Sequence, residues 1–204
     1  TIVERNGEKI GIIGIVISKK TKMSSNPDDN TMFLDEVSTA QKYTDELNSQ
    51  GVDRVILLSH FGYENDLALA QKTSGIDIIV GGDSHSLLGD LSDLGLKPNG
   101  SYPTMVNDAS GNDVCVVTAW EYSQIVGELH AEFDGQGDIT SCMGTPHMML
   151  ADSFKRKNAD GERVEIEEGY RDAVYSVIKV NPSLSIVEPD ADAQALLARY
   201  SSKI

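Results

Sequence analysis

Two histidines and an aspartate stand where strands end. The apolar run Val52 to Leu58 closes in Ser59-His60-Phe61-Gly62, and Ile76 to Val80 closes in Gly81-Gly82-Asp83-Ser84-His85. Imidazole nitrogen and carboxylate oxygen together suit Zn²⁺, Mn²⁺ and related divalent ions. Asp83 and His85, two apart in an extended loop, can both turn toward one neighbouring site. Gly81 and Gly82 lack Cβ atoms, so the backbone can leave the strand sharply and pass close to an ion. The stretch between the two strands is long enough for a helical crossover, which makes them parallel neighbours. His60, Asp83 and His85 then emerge at one edge of one sheet. These three are the candidate metal ligands, and no proton-transferring residue is assigned to this chain.

The other chemistry-bearing residues have plainer readings. His130 falls in an alternating stretch on the face opposite Leu129 and Ala131, where solvent holds it; His147 follows Thr145-Pro146 in a loop without nearby acids or cysteines. No G-x-S-x-G elbow, G-x-x-x-x-G-K-[ST] phosphate loop or G-x-G-x-x-G after a strand is present. Gly11-Ile12-Ile13-Gly14 reads as buried strand. The acidic pairs and clusters at Asp28-Asp29 and Asp90 to Asp93 lack EF-hand spacing and read as solvated loops.

The elements that position the three ligands alternate. Ile2 to Arg5, Asn6-Gly7 and Lys9 to Ile17 form a hairpin, since Asn-Gly supplies the two positive-φ positions of a type I′ turn. Its second arm is nearly continuously apolar, as in a strand covered on both faces inside a sheet. Phe33, Val37, Ala40, Thr44 and Leu47 recur at helical spacing ahead of Gly51, predicting a helix over Leu34 to Gln50. A strand over Val52 to Leu58, a helix over Glu64 to Lys72 and a strand over Ile76 to Val80 follow. Strand-helix-strand-helix-strand is the pattern of crossovers on a parallel or mixed sheet flanked by helices, an α/β fold.

Further along, Ser24 to Asn30 and the Gly-, Asp-, Ser- and Pro-rich Leu87 to Thr104 read as loops. Val114 to Ala119 and Gln124 to Phe133 read as two strands pairing antiparallel, with a turn at Asp134 to Gly137. Gly144 to Glu168 has weak periodicity and many charges and reads as an irregular excursion, followed by a helix near Gly169 to Val177. Asp190 to Tyr200, behind Pro189, is a closing helix with Ala193, Leu196, Leu197 and Tyr200 on one stripe.

Composition limits the partners. The 204 residues carry 17 Lys+Arg against 32 Asp+Glu, a net charge of −15, with 40% hydrophobic residues. Such a charge without a basic run argues against nucleic acid or an anionic membrane held through a positive surface. A phosphate ligand would need a local positive charge. No window approaches the roughly 18 unbroken apolar residues of a membrane helix. Cys115 and Cys142 leave two buried thiols or one bridge open. Thr1 opens on a strand-like segment with no targeting signal, so the chain reads as trimmed at its front.

The segments Leu58-Ser59-His60-Phe61-Gly62 and Gly81-Gly82-Asp83-Ser84-His85-Ser86-Leu87-Leu88 carry a resemblance, together with the upstream Asn6-Gly7 and Lys9 to Gly14. A further part of it is Ala119-Trp120-Glu121-Tyr122-Ser123-Gln124-Ile125-Val126-Gly127. The pattern, from about Ile2 to Phe133, resembles the second half of the catalytic domain of the secreted 5′-nucleotidases. That family also holds UDP-sugar hydrolases and 2′,3′-cyclic-nucleotide phosphodiesterases, within the calcineurin-like metallophosphoesterases.

The resemblance implies a layered sandwich of mixed sheets between helices and two divalent metal ions, Zn, Mn or similar, at the sheet edge. His60, Asp83 and His85 map onto family metal ligands, Asp83 departing from the usual histidine. It implies hydrolysis of nucleotide phosphate esters with a nucleotide or nucleotide-sugar substrate, and a periplasmic or extracellular location that favours a Cys115 to Cys142 bridge. The family's front half, which carries the catalytic histidine, and its C-terminal nucleotide-binding domain have no counterpart here. Residues 1–143 then correspond to the second half of the catalytic domain, 144–188 to an excursion packed on it, and 189–204 to a linker helix toward the absent domain. Such a chain alone is expected to be inactive. The alternative reading is a binding module that keeps the metallophosphoesterase fold without catalysis.

Overall fold

The structure, a computed structural model, describes residues 1–201. A first compact unit covers Thr1–Pro146 and a second begins at His147. In the first, the hairpin of β1 (Ile2–Arg5) and β2 (Glu8–Val16) turns through Asn6 and Gly7 at φ 53° and 85°, as the Asn-Gly pair requires. A helix α1 (Ser18–Ser25) and a longer α2 (Glu36–Ser49) lead to β3 (Val55–His60). After α3 (Tyr63–Ala70) and β4 (Ile78–Val80) come β5 (Thr104–Asn107) and β6 (Asp113–Val117).

These strands form one mixed sheet in the order β1-β2-β3-β4-β6-β5. β2, β3, β4 and β6 run parallel, with Leu58 opposite both Gly14 and Val80, and Val80 opposite Val117. β1 and β5 close the edges antiparallel. The expected α/β sheet flanked by helices is present, and β3 and β4 are the parallel neighbours that the ligand argument needs.

One face of the sheet is the core. Ile13, Ile15, Val55, Leu57, Ile79 and Val116 are buried against Ala40 and Leu47 of α2 and Leu69 and Ala70 of α3. Asp35 caps α2, its side chain accepting the Ser38 N–H at 2.8 Å. α2 packs close over Gly11, where a Cβ would lie 2.6 Å from Leu47 Cδ1. The other face is different: Val16, Leu58 and Val80 are 50%, 49% and 40% exposed. β2 reads as covered on both faces, yet Val16 on its second face is open; on that same face of the sheet Ile78, Cys115 and Val117 are buried, so the cover there reaches β6 and the start of β4.

Several expectations need correction. Helix α1 falls where no helix is expected: its eight residues bury nothing and carry no apolar stripe. The strand after β6, β7 (Ile125–Phe133), does not pair with it antiparallel; β6 lies between β4 and β5, while β7 belongs to a separate three-stranded sheet beside β8 (Ile139–Leu150). The segment between them, residues 118–124, turns the chain away from the first sheet. Gly144 to Leu150, expected as irregular, is the second part of β8, and His147 stands in that strand, not in a loop.

Cys115 of β6 and Cys142 of β8 form a disulfide, which resolves the two readings left open by composition and agrees with the bridge that the resemblance favours. In the second unit Met148 to Leu150 pair parallel with β11 (Leu184–Ile186). Between them lie a small hairpin, β9 (Lys155–Lys157) with β10 (Arg163–Glu165), and α4 (Glu168–Val180), which packs against β11. The closing helix α5 covers Ala191–Ser201. No helix among the described residues is long and apolar enough to cross a membrane.

Candidate metal centre

β3 and β4 deliver the three sequence-predicted ligands to the carboxyl edge of the parallel sheet, where adjacent strand ends leave a crevice. His60 is the last residue of β3, on the exposed side that also presents Leu58. Its Nδ1 lies 3.4 Å from where a Cβ on Gly82 would stand, so the ring rests on the diglycine turn. Its Nε2 lies 3.3 Å from Asp83 Oδ1. The Asp83 carboxylate is largely buried, with 11% of its side chain exposed.

The same Asp83 oxygen carries the ammonium of Lys20, a residue of α1 that no local pattern singles out. His60, Asp83 and His85 line one depression of about 180 Å³ together with Ile17, Lys20, Thr21 and Ser24. His85 is turned to Glu121, with Nδ1 to Oε2 at 3.1 Å, and meets the Tyr122 ring edge-on at 5.2 Å.

The backbone here is unusual. Among the described residues seven non-glycine residues have positive φ, and five of them are here: Asp83 at 70°, His85 at 50°, Trp120 at 60°, Tyr122 at 55° and Ser123 at 60°. Each such residue costs about 1 kcal/mol or more, and positions of this kind cluster where a site is held in a fixed shape. The turn is bonded from below. Ser84 Oγ accepts the Tyr63 N–H at 3.0 Å and bonds Ser86 Oγ at 2.9 Å, and Gly81 N–H donates to Val117 O at 2.7 Å.

Beneath the turn, Asp66 of α3 is fully buried. Ser59 donates its hydroxyl to Asp66 Oδ1 and accepts the Phe61 N–H at 3.1 Å. Asp66 Oδ2 has no hydrogen-bond partner and would lie 2.5 Å from a Cβ on Gly81. Burial pushes the Asp66 carboxyl up to about 6, against the Ser59 bond and with a small push from the Asp83 charge.

The donor set fits a divalent cation in kind. Asp83 Oδ1 already meets a cation, the lysine ammonium, and His60 Nε2 faces that same oxygen. His85, with Nδ1 engaged by Glu121, has Nε2 left to donate. Among the described residues no three His, Cys, Asp or Glu side chains are yet drawn close enough together to close around an ion. The remaining histidines match their plainer reading in part: His130 Nε2 pairs with Glu128 Oε1 at 2.9 Å on an exposed surface.

No protein-family model matches the chain. It is 40% identical to a probable 5′-nucleotidase of Treponema pallidum (strain Nichols), over 99% of this chain and 35% of that protein. It is 36% identical to the NAD 5′-nucleotidase of Haemophilus influenzae over 97% of this chain and 33% of that protein. The solved structure of Haemophilus influenzae NAD nucleotidase superposes with a TM-score of 0.93, covering 100% of this chain and 41% of that one. A 5′-nucleotidase precursor from Thermus thermophilus gives a TM-score of 0.69 at 41% identity, over 72% of this chain and 29% of that one. The chain thus spans about a third of the length of the curated relatives it matches. By sequence and by fold it belongs to the 5′-nucleotidase family.

Proposed function

We propose that this chain supplies one side of the metal centre of an enzyme that hydrolyses nucleotide phosphate esters. The reading rests on one observation above all: His60 Nε2 faces Asp83 Oδ1 at 3.3 Å in a depression that His85 also lines. The names of the relatives, 5′-nucleotidase and NAD 5′-nucleotidase, point to a nucleotide or nucleotide-sugar substrate.

His60, Asp83 and His85 would hold divalent ions, two Zn or Mn or similar. Such ions would supply Lewis-acid neutralisation of the phosphoryl oxygens and activation of a water, which a chain of charge −15 cannot supply through its own surface. The three ligands do not transfer protons. Lys20, on the rim of the same depression, adds a positive charge that can rest on Asp83 or on a phosphoryl oxygen.

The rest of the centre and the proton donor would come from a front half outside this sequence. The open apolar patch at the ends of β2, β3 and β4 supports this, since Val16, Leu58 and Val80 lie on it and His60 points out from it, as if a second layer brought further ligands there. A nucleotide-binding domain beyond α5 would complete the enzyme. In this reading residues 1–143 are the second half of a catalytic domain, 144–188 a separate excursion, and α5 the helix that leads toward a further domain. A periplasmic or extracellular location is supported by the Cys115–Cys142 bridge, which suits an oxidising compartment. It is supported by similarity to a snake venom 5′-nucleotidase of Naja atra, 35% identical over 153 residues.

The pairing of Asp83 with Lys20, which satisfies the carboxylate without an ion, also fits a module that binds and does not catalyse. Phosphate release from AMP with Mn²⁺ or Zn²⁺ separates the two readings. The catalytic reading expects metal-dependent release from a longer form that carries the front half, and almost none from the 204-residue chain. Rapid turnover by the 204-residue chain alone would refute the assignment of the missing chemistry, and no metal uptake by the longer form would favour the module.

A further inference from the structure

The function proposed above gives His85 a role but leaves the residues touching it without one. Segment 118–124 follows β6, whose end is tied to the diglycine turn by the Gly81 N–H to Val117 O bond. Within four residues it holds three non-glycine residues at positive φ, Trp120, Tyr122 and Ser123. Tyr122 and Ser123 take the two positive-φ positions of a type I′ turn without the asparagine or glycine that suits them, Trp120 adds a third, and each position opposes folding by about 1 kcal/mol or more. Little inside the segment offsets this: its internal backbone bond, Gln124 N–H to Glu121 O, is long at 3.4 Å. Tyr122 is 76% exposed, so burial does not hold it either.

What the shape achieves is two contacts with one imidazole. Glu121 Oε2 lies 3.1 Å from His85 Nδ1, across 36 positions of sequence. The Tyr122 ring meets the same imidazole edge-on, the planes at 71°. A carboxylate at Nδ1 makes that nitrogen the protonated one, which leaves the Nε2 lone pair as the donor; an aromatic edge then limits rotation of the ring. His85 itself is at φ 50°, so the imidazole is presented from a strained backbone position.

We propose that Glu121 and Tyr122 are positioning residues that form a clamp on His85, Glu121 fixing the Nδ1–H tautomer and Tyr122 the ring plane, so that Nε2 is presented to a divalent cation. The inference rests on the reading of His85 as a metal ligand. The ion draws on a donor that is already oriented, and loss of such an outer carboxylate weakens metal affinity by roughly 10- to 100-fold.

The test pairs two measurements on the 204-residue chain. Two-bond ¹H–¹⁵N spectra of the imidazoles at pH 8, without metal, read the tautomer of His85, its signals assigned by their loss in His85→Gln. Titration calorimetry with Zn²⁺ reads the affinity. The clamp predicts an Nδ1–H tautomer in the wild type and in Glu121→Gln, whose amide oxygen still accepts the bond. In Glu121→Ala it predicts loss of that tautomer and a roughly 10- to 100-fold weaker affinity. Tyr122→Leu keeps the tautomer and loses less affinity.

Wild-type tautomer and affinity in Glu121→Ala overturn the clamp while leaving His85 a ligand. A tautomer change in Tyr122→Leu equal to that in Glu121→Ala also overturns it, because the loop as a whole and not the carboxylate would then be responsible. If the wild type takes up Zn²⁺ and His85→Gln binds it equally well, the ligand reading fails and the clamp falls with it.

Discussion

His60 Nε2 and Lys20 Nζ converge on one oxygen, Oδ1 of Asp83, from β3 and from α1. An ion that enters must displace the ammonium or share the oxygen with it. Lys20 is 57% exposed, and an ion pair so open to solvent contributes at most about 1 kcal/mol. Lys20→Met is therefore expected to tighten Zn²⁺ or Mn²⁺ binding about two- to fivefold, and Lys20→Arg to leave it nearly unchanged. Isothermal titration decides; weaker binding in Lys20→Met would show that the lysine supports the site and does not compete for it.

Gly81 tests the packing under the centre. A Cβ there would stand 2.5 Å from Oδ2 of Asp66, a side chain fixed on its other oxygen by Ser59. Gly81→Ala is expected to destabilise by about 1–3 kcal/mol and to weaken metal binding, since the turn that carries Asp83 must shift. Gly14→Ala, where nothing lies within 4 Å, is the control and is expected to change little. Urea unfolding of both variants measures the difference; equal midpoints would contradict the packing argument.

How far the sequence could be read depended on what each residue owed to its neighbours in the chain. β2, β3 and β4 are short apolar runs that announce themselves, and from their alternation with helices the parallel order and the common edge of His60, Asp83 and His85 follow. α2 was legible from its stripe of Ala40, Thr44 and Leu47. Where the signal was tertiary, nothing local reported it. α1 buries no residue and so lacks a periodic stripe. The second part of β8 has only weak periodicity, but its residues are held by strands on either side. Lys20 and Glu121 gain meaning only from contacts 63 and 36 positions away.

The disulfide closes a loop of 27 positions between the two sheets of β6 and β8. Loop-closure entropy for that length amounts to about 3.5 kcal/mol, within the usual 2–4. The double variant Cys115→Ala, Cys142→Ala is expected to lose about that much stability, read as a lower urea midpoint, with a comparable loss in the wild type under reducing conditions. An unchanged midpoint in both would mean that the rest of β8 already fixes the two strands.

Asp77 gives a pH dependence. It is 8% exposed, and its Oδ2 accepts the Val55 N–H at 2.6 Å. Burial, helped by the charges of Asp138 and Asp53, pushes it from 3.8 up to about 7, against the Val55 bond and Arg54. A carboxyl raised in the folded state holds its proton there while the unfolded chain has already released it. Stability therefore falls as pH rises from about 4 to 7 and is lowest above that, by up to a few kcal/mol. Asp77→Asn is expected to flatten this slope and to be more stable than wild type at pH 8, measured by urea unfolding between pH 5 and 8. An identical slope in both proteins would place the effect elsewhere.

The most direct test of the metal centre is anomalous diffraction from crystals of the 204-residue chain soaked in Mn²⁺. The account predicts a peak within coordination distance of His60 Nε2 and Asp83 Oδ1, on the side where His85 lines the depression, and its loss in the variant His60→Ala, Asp83→Ala. A peak elsewhere that survives this double substitution, with none between His60 and Asp83, would contradict it.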